Sequence, residues 1–482
     1  MRISGTDWLG TLAAIGGAAA LLLVALLLPE RTMLVLPLLV LVPLGLALYQ
    51  VPVALVAGLV LVYGLGLDIQ LDTALRAGGA GEGVAALGAA VVKVVPYALT
   101  AVLILRYGPA RSINWPFLAF SGIAAMSVAI LPMGEVVGTT EMVRSFIGSA
   151  APFALGLARA PRSVWQALVR GAAFVPIVSA VGGLAAHVVG WYPVVDGFGR
   201  FQGLHSAPFL AGFCVTATFA AVLEYLRGFR PGWLLVGGLD LVILLATQAR
   251  APFAAVALFL ALVFLLSGRD VFPLRRKVDL AMIAMVPGLL LVGLALLVAM
   301  DRFFGDGGEF NYSGRDLIWP FFLEAIEARP LFGFGLGAGK LIVDPEDPLI
   351  RLLGSNAAHN EYLRLAVDAG IIGCAAIFLS IIAWIWGGTR EAAPTDRLVL
   401  RAALAAALLH AGFDNTLIAS TAVMQFGFFA AALARLRLER EAAGTRWRAS
   451  GTASLRHRTS GAASLRHRAS GAASLRHRTL RA

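Results

Sequence analysis

Nine residues, SNAAHNEYL (355–363), gather a serine, two asparagines, a histidine and a glutamate just before LAVDAGIIGCAAIFLSIIAWIW, which is almost wholly apolar. His359 in this cluster is a group that takes or gives a proton near neutral pH, and Asn356 and Asn360 stand beside it as orienting partners. Arg250 sits in QARAPF between two apolar runs, and Arg315 sits in NYSGRDLIW. Two guanidinium groups with fixed charge and forked donors suit a phosphate or diphosphate. GRFQGLHSAP adds Arg200 and His205, and HAGFDN adds His410, Asp414 and Asn415. An arginine at a bilayer centre costs at least about 3 kcal/mol, so Arg250 either snorkels to the headgroups or faces an anion in a cavity.

The elements that must carry these groups are apolar helices. Only 14% of the 482 residues are charged, against about a quarter in a soluble domain, and mean hydropathy is +0.82. Runs long enough to cross a hydrocarbon core of roughly 30 Å recur from end to end. The chain reads as an all-α, polytopic integral membrane protein. Candidate spans are 9–28, 33–49, 51–67, 84–105, 116–134, 146–158, 165–190, 207–226, 232–248, 251–267, 279–300, 364–386, 397–418 and 420–436, giving about 12–14 transmembrane helices. The apolar run after Arg2 is read as an uncleaved first span, because no small-residue cleavage site follows it. Cys214 and Cys374 lie inside apolar runs and read as small filler.

Charge distribution orients the spans. From Arg435 onward there are 12 Lys/Arg against 2 Asp/Glu, and the rest of the chain holds 27 against 26, so the basic balance belongs to a tail and signals no nucleic acid. Arg106, Arg111, Arg159, Arg162, Arg227, Arg230, Arg269, Arg275, Arg276, Lys277, Arg390 and Arg397 fall on one side, against Arg31, Arg76, Arg144, Arg200 and Arg250 on the other. The positive side is expected to be cytoplasmic. Residues 301–363 then form one large loop on the outer face, where Arg315 and His359 lie with the other polar groups. The membrane domain is expected over 1–436, and the tail 437–482, with its ten-residue repeat ending SLRHR, as a disordered cytoplasmic extension able to touch anionic lipids.

GFGLGAGK (333–340) is one residue too short for a nucleotide-binding loop, and Leu341 replaces the required Ser/Thr. A flexible loop bringing backbone close to a ligand is expected there instead. DPEDP (344–348) reads as a solvated turn, and no metal site or cofactor is expected. Lys93 lies mid-span and could pair with a carboxylate such as Asp240.

SGRDLIWPFFLEAIEARPLFGFGLGAGK followed by SNAAHNEYLRLAVDAGIIG resembles the shared region of the bacterial O-antigen ligase and polysaccharide polymerase family. The family's Arg and Trp four residues apart correspond to Arg315 and Trp319, its RP-x-x-G-x-G to RPLFGFG, and its H-N-x-x-L with G-x-x-G to HNEYL with Gly370 and Gly373. The resemblance runs over roughly 195–430. QARAPF departs from the commoner Ser-Arg-Gly pattern around the arginine matched by Arg250. The resemblance implies a metal-independent membrane glycosyltransferase. It would move a glycan from undecaprenyl diphosphate to a lipid A–core hydroxyl at the periplasmic face of the inner membrane. Arg250 and Arg315 would hold the diphosphate, and His359 would activate or orient the acceptor. Arg200, His205, Asn356, Asn360 and Trp319 are substrate-binding candidates. A polymerase joining two lipid-linked glycans is the alternative within the family. A lipid-linked-sugar flippase is the alternative from another class, although no internal repeat of the transporter kind is visible.

Overall fold

The computed structural model describes residues 52–77, 82–129, 137–269, 271–279, 282, 315–344 and 356–443. The expected spans 9–28 and 33–49, nearly all of 279–300, the loop stretches 301–314 and 345–355, and the repeats of the tail lie outside the described residues. Among the described residues the protein is all-α, with only two isolated bridges, Pro109–Ala158 and Val195–Phe201.

The helices are α1 (Pro52–Gly64), α2 (Leu67–Ala77), α3 (Glu82–Tyr107), α4 (Trp115–Ala129), α5 (Thr139–Ala150), α6 (Arg162–Ala172), α7 (Val175–Val188), α8 (Ala207–Gly228), α9 (Gly232–Thr247), α10 (Arg250–Leu266), α11 (Arg315–Ala328), α12 (Glu361–Gly388) and α13 (Pro394–Ala411). A last helix, α14, covers 420–443. One compact unit ends at Leu433 and a second begins at Ala434. α8 and α12 are each long and apolar enough to cross a bilayer, and α4, α9 and α10 are shorter apolar helices. Large apolar side chains stand exposed on α7, α9, α10 and α12, among them Val188, Leu235, Leu265 and Leu379, while Glu224, Asp368 and His410 are buried. Apolar groups outside and polar pairs within is the pattern of a protein solvated by lipid.

Several expected spans are reshaped. The run 165–190 is two helices, α6 and α7, meeting at 52°, because Pro176 at the start of α7 has no N–H to continue the ladder. The run 51–67 ends at Gly66, whose φ of 58° turns the chain by 55° into the polar helix α2. The run 146–158 becomes the end of α5 followed by a 3-10 segment, Ala151–Leu157, with Pro152 at its start. Phe153 of that segment seats its ring 4.6 Å from Phe426 and 5.8 Å from Phe120.

α8 is the hub: it packs against α6, α7, α9, α10 and α13, and its side chains are buried almost all round. Ion pairs then fix which helix ends lie together. Arg227 near the C-terminal end of α8 donates to Asp396 in the first turn of α13 at 2.6 Å. Phe272, just beyond α10, stacks near Tyr225 and Phe229 at that same end of α8. The start of α9 follows α8 directly. The opposite ends of α9, α10 and α13 therefore share the other side. Arg250 opens α10 there, and His410 closes α13 there.

Candidate active site

The site is assembled by α11, the chain before α12, and the turn 412–419 between α13 and α14. Arg315 and Trp319 are four residues apart on α11, so they rise from one face a turn apart. Trp319 donates its indole N–H to the Ala358 carbonyl at 2.8 Å, which ties α11 to the residue before His359. Arg315 reaches in another direction and donates from Nη2 to the Phe413 carbonyl at 3.0 Å. Its Nε is buried and finds no acceptor among the described residues. Burial draws Arg315 below the ordinary arginine value and the Asp414 carboxylate opposes that shift.

His359 holds φ at +45°, a conformation that costs an ordinary side chain of order 1–3 kcal/mol. Its Nδ1 stands 3.6 Å from Asp414 Oδ1. His410 Nε2 stands 3.8 Å from the other oxygen, Oδ2. These are ion-pair distances, longer than hydrogen bonds. Burial alone would raise the Asp414 carboxyl, but His359, His410 and the Asn415 N–H hold it below the usual carboxylate range. Arg315, His359 and Asp414 thus form one electrostatic group.

The asparagines serve the backbone. Asn360 caps α12, its side-chain oxygen accepting from the N–H of Tyr362 at 3.0 Å and Leu363 at 3.2 Å. Asn356 donates to the carbonyls of Lys340 at 3.5 Å and Val343 at 3.4 Å. Behind the cap, Arg364 bridges Glu361 and Asp368 wholly within the protein, donating to Glu361 Oε1 from Nε at 2.9 Å and to Asp368 from Nη1 at 2.7 Å.

The glycine-rich segment does bring backbone close to a partner, and that partner is α12. Gly370 breaks α12 with φ 68° and ψ 178°, which frees the carbonyls before it. Phe334 N and Gly335 N donate to the Val367 and Asp368 carbonyls at 2.9 Å each, and Ile371 N donates to the Pro330 carbonyl at 2.8 Å. Residues 330–340 therefore strap the break. A Cβ at Gly333 would collide with the backbone of α12, and one at Gly370 with the backbone of Leu331.

Arg250 lies on the same side as His410, at the head of α10. The loop of Arg200 docks on the tip that precedes it: Phe201 N donates to the Ala246 carbonyl at 2.9 Å, and Gln248 Nε2 to the Gly199 carbonyl at 3.3 Å. Arg200 itself is paired with Asp196 at 2.7 Å. His205 is buried beside α1 and α2, its ring 4.9 Å from Phe213. The expected partnership of Lys93 with Asp240 does not form: the charges facing Lys93 are Lys340, Arg144, Glu141 and Asp68, and both oxygens of Asp240 are buried without a hydrogen bond. Asp414 carries more of the site than its sequence position suggested. The signal for it was HAGFDN at the outer end of a late span.

Residues 235–379 match the family model described as O-antigen ligase. No curated protein matches the chain. The matched stretch runs from the first turn of α9 through Arg250, Arg315, Trp319, the glycine strap and His359 into the second half of α12, and this part of the chain is similar to the O-antigen ligase family.

Proposed function

We propose that the protein transfers a glycan from undecaprenyl diphosphate to a hydroxyl of an acceptor sugar, lipid A–core, at the periplasmic face of the inner membrane. The match of residues 235–379 to the O-antigen ligase family model supports a glycosyl-transfer role of the ligase or polymerase type. The observation that carries the finer reading is the convergence of Arg315, His359 and Asp414, with Arg315 Nε buried and unsatisfied. A buried donor without a partner costs of order 1–3 kcal/mol, and a phosphate oxygen removes that cost.

In this reading His359 receives the proton of the acceptor hydroxyl as its oxygen attacks the anomeric carbon. The bond from that carbon to the diphosphate breaks, and the electron pair leaves with the diphosphate. Arg315 neutralises the charge that develops there, and Arg250, at the head of α10 on the same side of the bundle, is assigned a share of that role. Asp414 holds the imidazole and favours its charged form after proton transfer. No metal enters the scheme.

The test is a deletion strain carrying Arg315→Ala or His359→Ala protein that still inserts. Surface glycan is expected to disappear while lipid-linked precursor builds up on the outer face. Build-up on the inner face would instead mark a flippase. In the deletion strain itself, unlinked long chains identify a missing ligase, and single repeats on the lipid identify a missing polymerase.

A further inference from the structure

A second group of cations gathers where the strap meets α5 and takes no part in the scheme above. Lys340, the last residue of the strap's 3-10 turn, places Nζ 2.8 Å from Glu141 Oε1 and 2.8 Å from Ser145 Oγ of α5. Arg144 Nη1 stands 3.6 Å from Glu141 Oε2. One turn further along the same face of α5 is Gly148, and the Lys93 side chain of α3 passes over it, with Cδ 3.8 Å from where a Cβ would sit. Lys93 makes no hydrogen bond or ion pair among the described residues, and the charges that face it are Lys340, Arg144, Glu141 and Asp68. Three cations therefore gather near Glu141, with Asp68 the other carboxylate facing Lys93, and Lys93, on a helix expected within the membrane, is not paired directly with either among the described residues.

The group is held in place by packing. A Cβ at Gly337 would come within 2.7 Å of Ser145 Oγ, so the strap lies directly on α5. Leu336 N donates to Ser127 Oγ of α4 at 3.2 Å, and Gly339 N to Asp368 at 2.7 Å. Like charges gathered together repel, and an anion among them reverses that repulsion. The site also communicates with His359, because Asn356, three residues before it, rests on the carbonyls of Lys340 and Val343.

We infer that Lys93, Arg144 and Lys340 form a second anion site, which holds the phosphate or diphosphate of a membrane-anchored acceptor while Arg315 holds that of the donor. This inference rests on the glycosyl-transfer reading for the name of its ligand. Two phosphorylated lipids would then be seated on either side of the strap, with the acceptor sugar directed toward His359.

The test uses full-length protein in phosphatidylcholine nanodiscs, titrated with undecaprenyl diphosphate bearing no sugar and counted by native mass spectrometry. Wild type is expected to bind a second molecule. Lys93→Gln and Arg144→Gln are each expected to weaken one binding event by about tenfold or more, the usual effect of losing a charge-assisted contact, and to leave the other unchanged. Neither substitution breaks the Lys340–Glu141 pair, so the strap stays seated. Unchanged binding in both variants overturns the site. Equal occupancy by phosphatidylglycerol would reassign it to bulk lipid, and equal competition by free pyrophosphate to a soluble anion; either result overturns the acceptor assignment. Loss of one event in Lys93→Gln with none in Arg315→Gln would sink the donor seat and leave this site standing.

Discussion

Two regions at the same end of the helices contain the same kinds of residue and use them differently. The loop 189–206 pairs most of its polar groups, within itself and with α2 and the α9–α10 tip, and His205 Nε2 is its one buried side-chain polar atom without a hydrogen bond among the described residues. Asp196 accepts from the N–H groups of Phe198 and Arg200 at 2.9 Å each and from Arg200 Nε at 2.7 Å. Gln202 donates to the Pro193 carbonyl, Tyr192 to the His205 carbonyl, and Gln70 to the Leu204 carbonyl. Around His359 the distances are longer, one arginine donor is orphaned, and a histidine sits at positive φ. A loop that has completed its hydrogen bonds is a structural device. A group with an unmet charged donor is where an anion would gain most.

The largest effects should fall in the incomplete region. His359→Ala is expected to lower turnover by about 10²–10⁴-fold, the range for a general acid–base group. Asp414→Asn, which keeps the shape and removes the charge, should cost roughly tenfold to a hundredfold in turnover with little change in donor affinity. A measured Asp414→Asn rate equal to wild type would dissolve the proposed pairing and leave His359 acting alone.

Next in size is Gly370→Ala. Its φ of 68° and the Leu331 backbone in the path of any Cβ oppose the substitution. The strap must lift from α12, at a cost of roughly 3 kcal/mol or more from strain and lost hydrogen bonds. Thermal unfolding in detergent should fall sharply, and Gly58→Ala, where a Cβ meets nothing, serves as the control.

Within the complete region the main effect is one of pH. Burial pushes His205 down to about 4, with Asp68 and the Tyr63 backbone opposing it only in part. Between that value and the ordinary histidine value near 6.5 the unfolded chain binds a proton that the folded one refuses. Stability should therefore fall as pH drops through this window, by up to about 3 kcal/mol. His205→Gln should flatten the melting temperature between pH 7 and pH 4.5. An unchanged slope would place the sensitivity elsewhere.

Much of the scaffold was visible in the amino-acid order, because hydropathy reads the helices that are buried in lipid or protein along their whole length. The expected 207–226, 232–248, 251–267 and 364–386 lie within three residues of α8, α9, α10 and α12. Bends were not visible: Pro176 and Gly66 permit a turn, but packing of α6 and α7 on α8, and of Gly66 against Leu204 and His205, selects it. The glycines of the strap were legible as close approach, while the partner was not, since the break at Gly370 exists only in three dimensions. Arg315 and His359 stood out as polar groups at one face and Trp319 through the family resemblance, while the hydrogen bond from Trp319 to the Ala358 carbonyl appears only in three dimensions. Asp414 was harder to weigh, because its importance comes from two histidines that meet it across a turn.

The smallest expected effect closes the comparison. Arg200 was a substrate-binding candidate by position, yet its Nε is committed to Asp196 and its guanidinium lies 5.2 Å from the Phe198 ring. Burial alone would raise Asp196, but the N–H groups of Arg200 and Phe198 and the Arg200 charge hold it below its ordinary value. A depressed carboxyl contributes stability above its unfolded value and loses it as pH falls through the folded one, so at neutral pH the pair is fully formed. Arg200→Gln should then cost no more than about 1 kcal/mol, as a partly exposed ion pair does, and leave turnover within about threefold of wild type. A drop in turnover comparable to that of Arg315→Ala, with melting unchanged, would mean that Arg200 leaves Asp196 for the substrate. The loop 189–206 would then be part of the site rather than its frame.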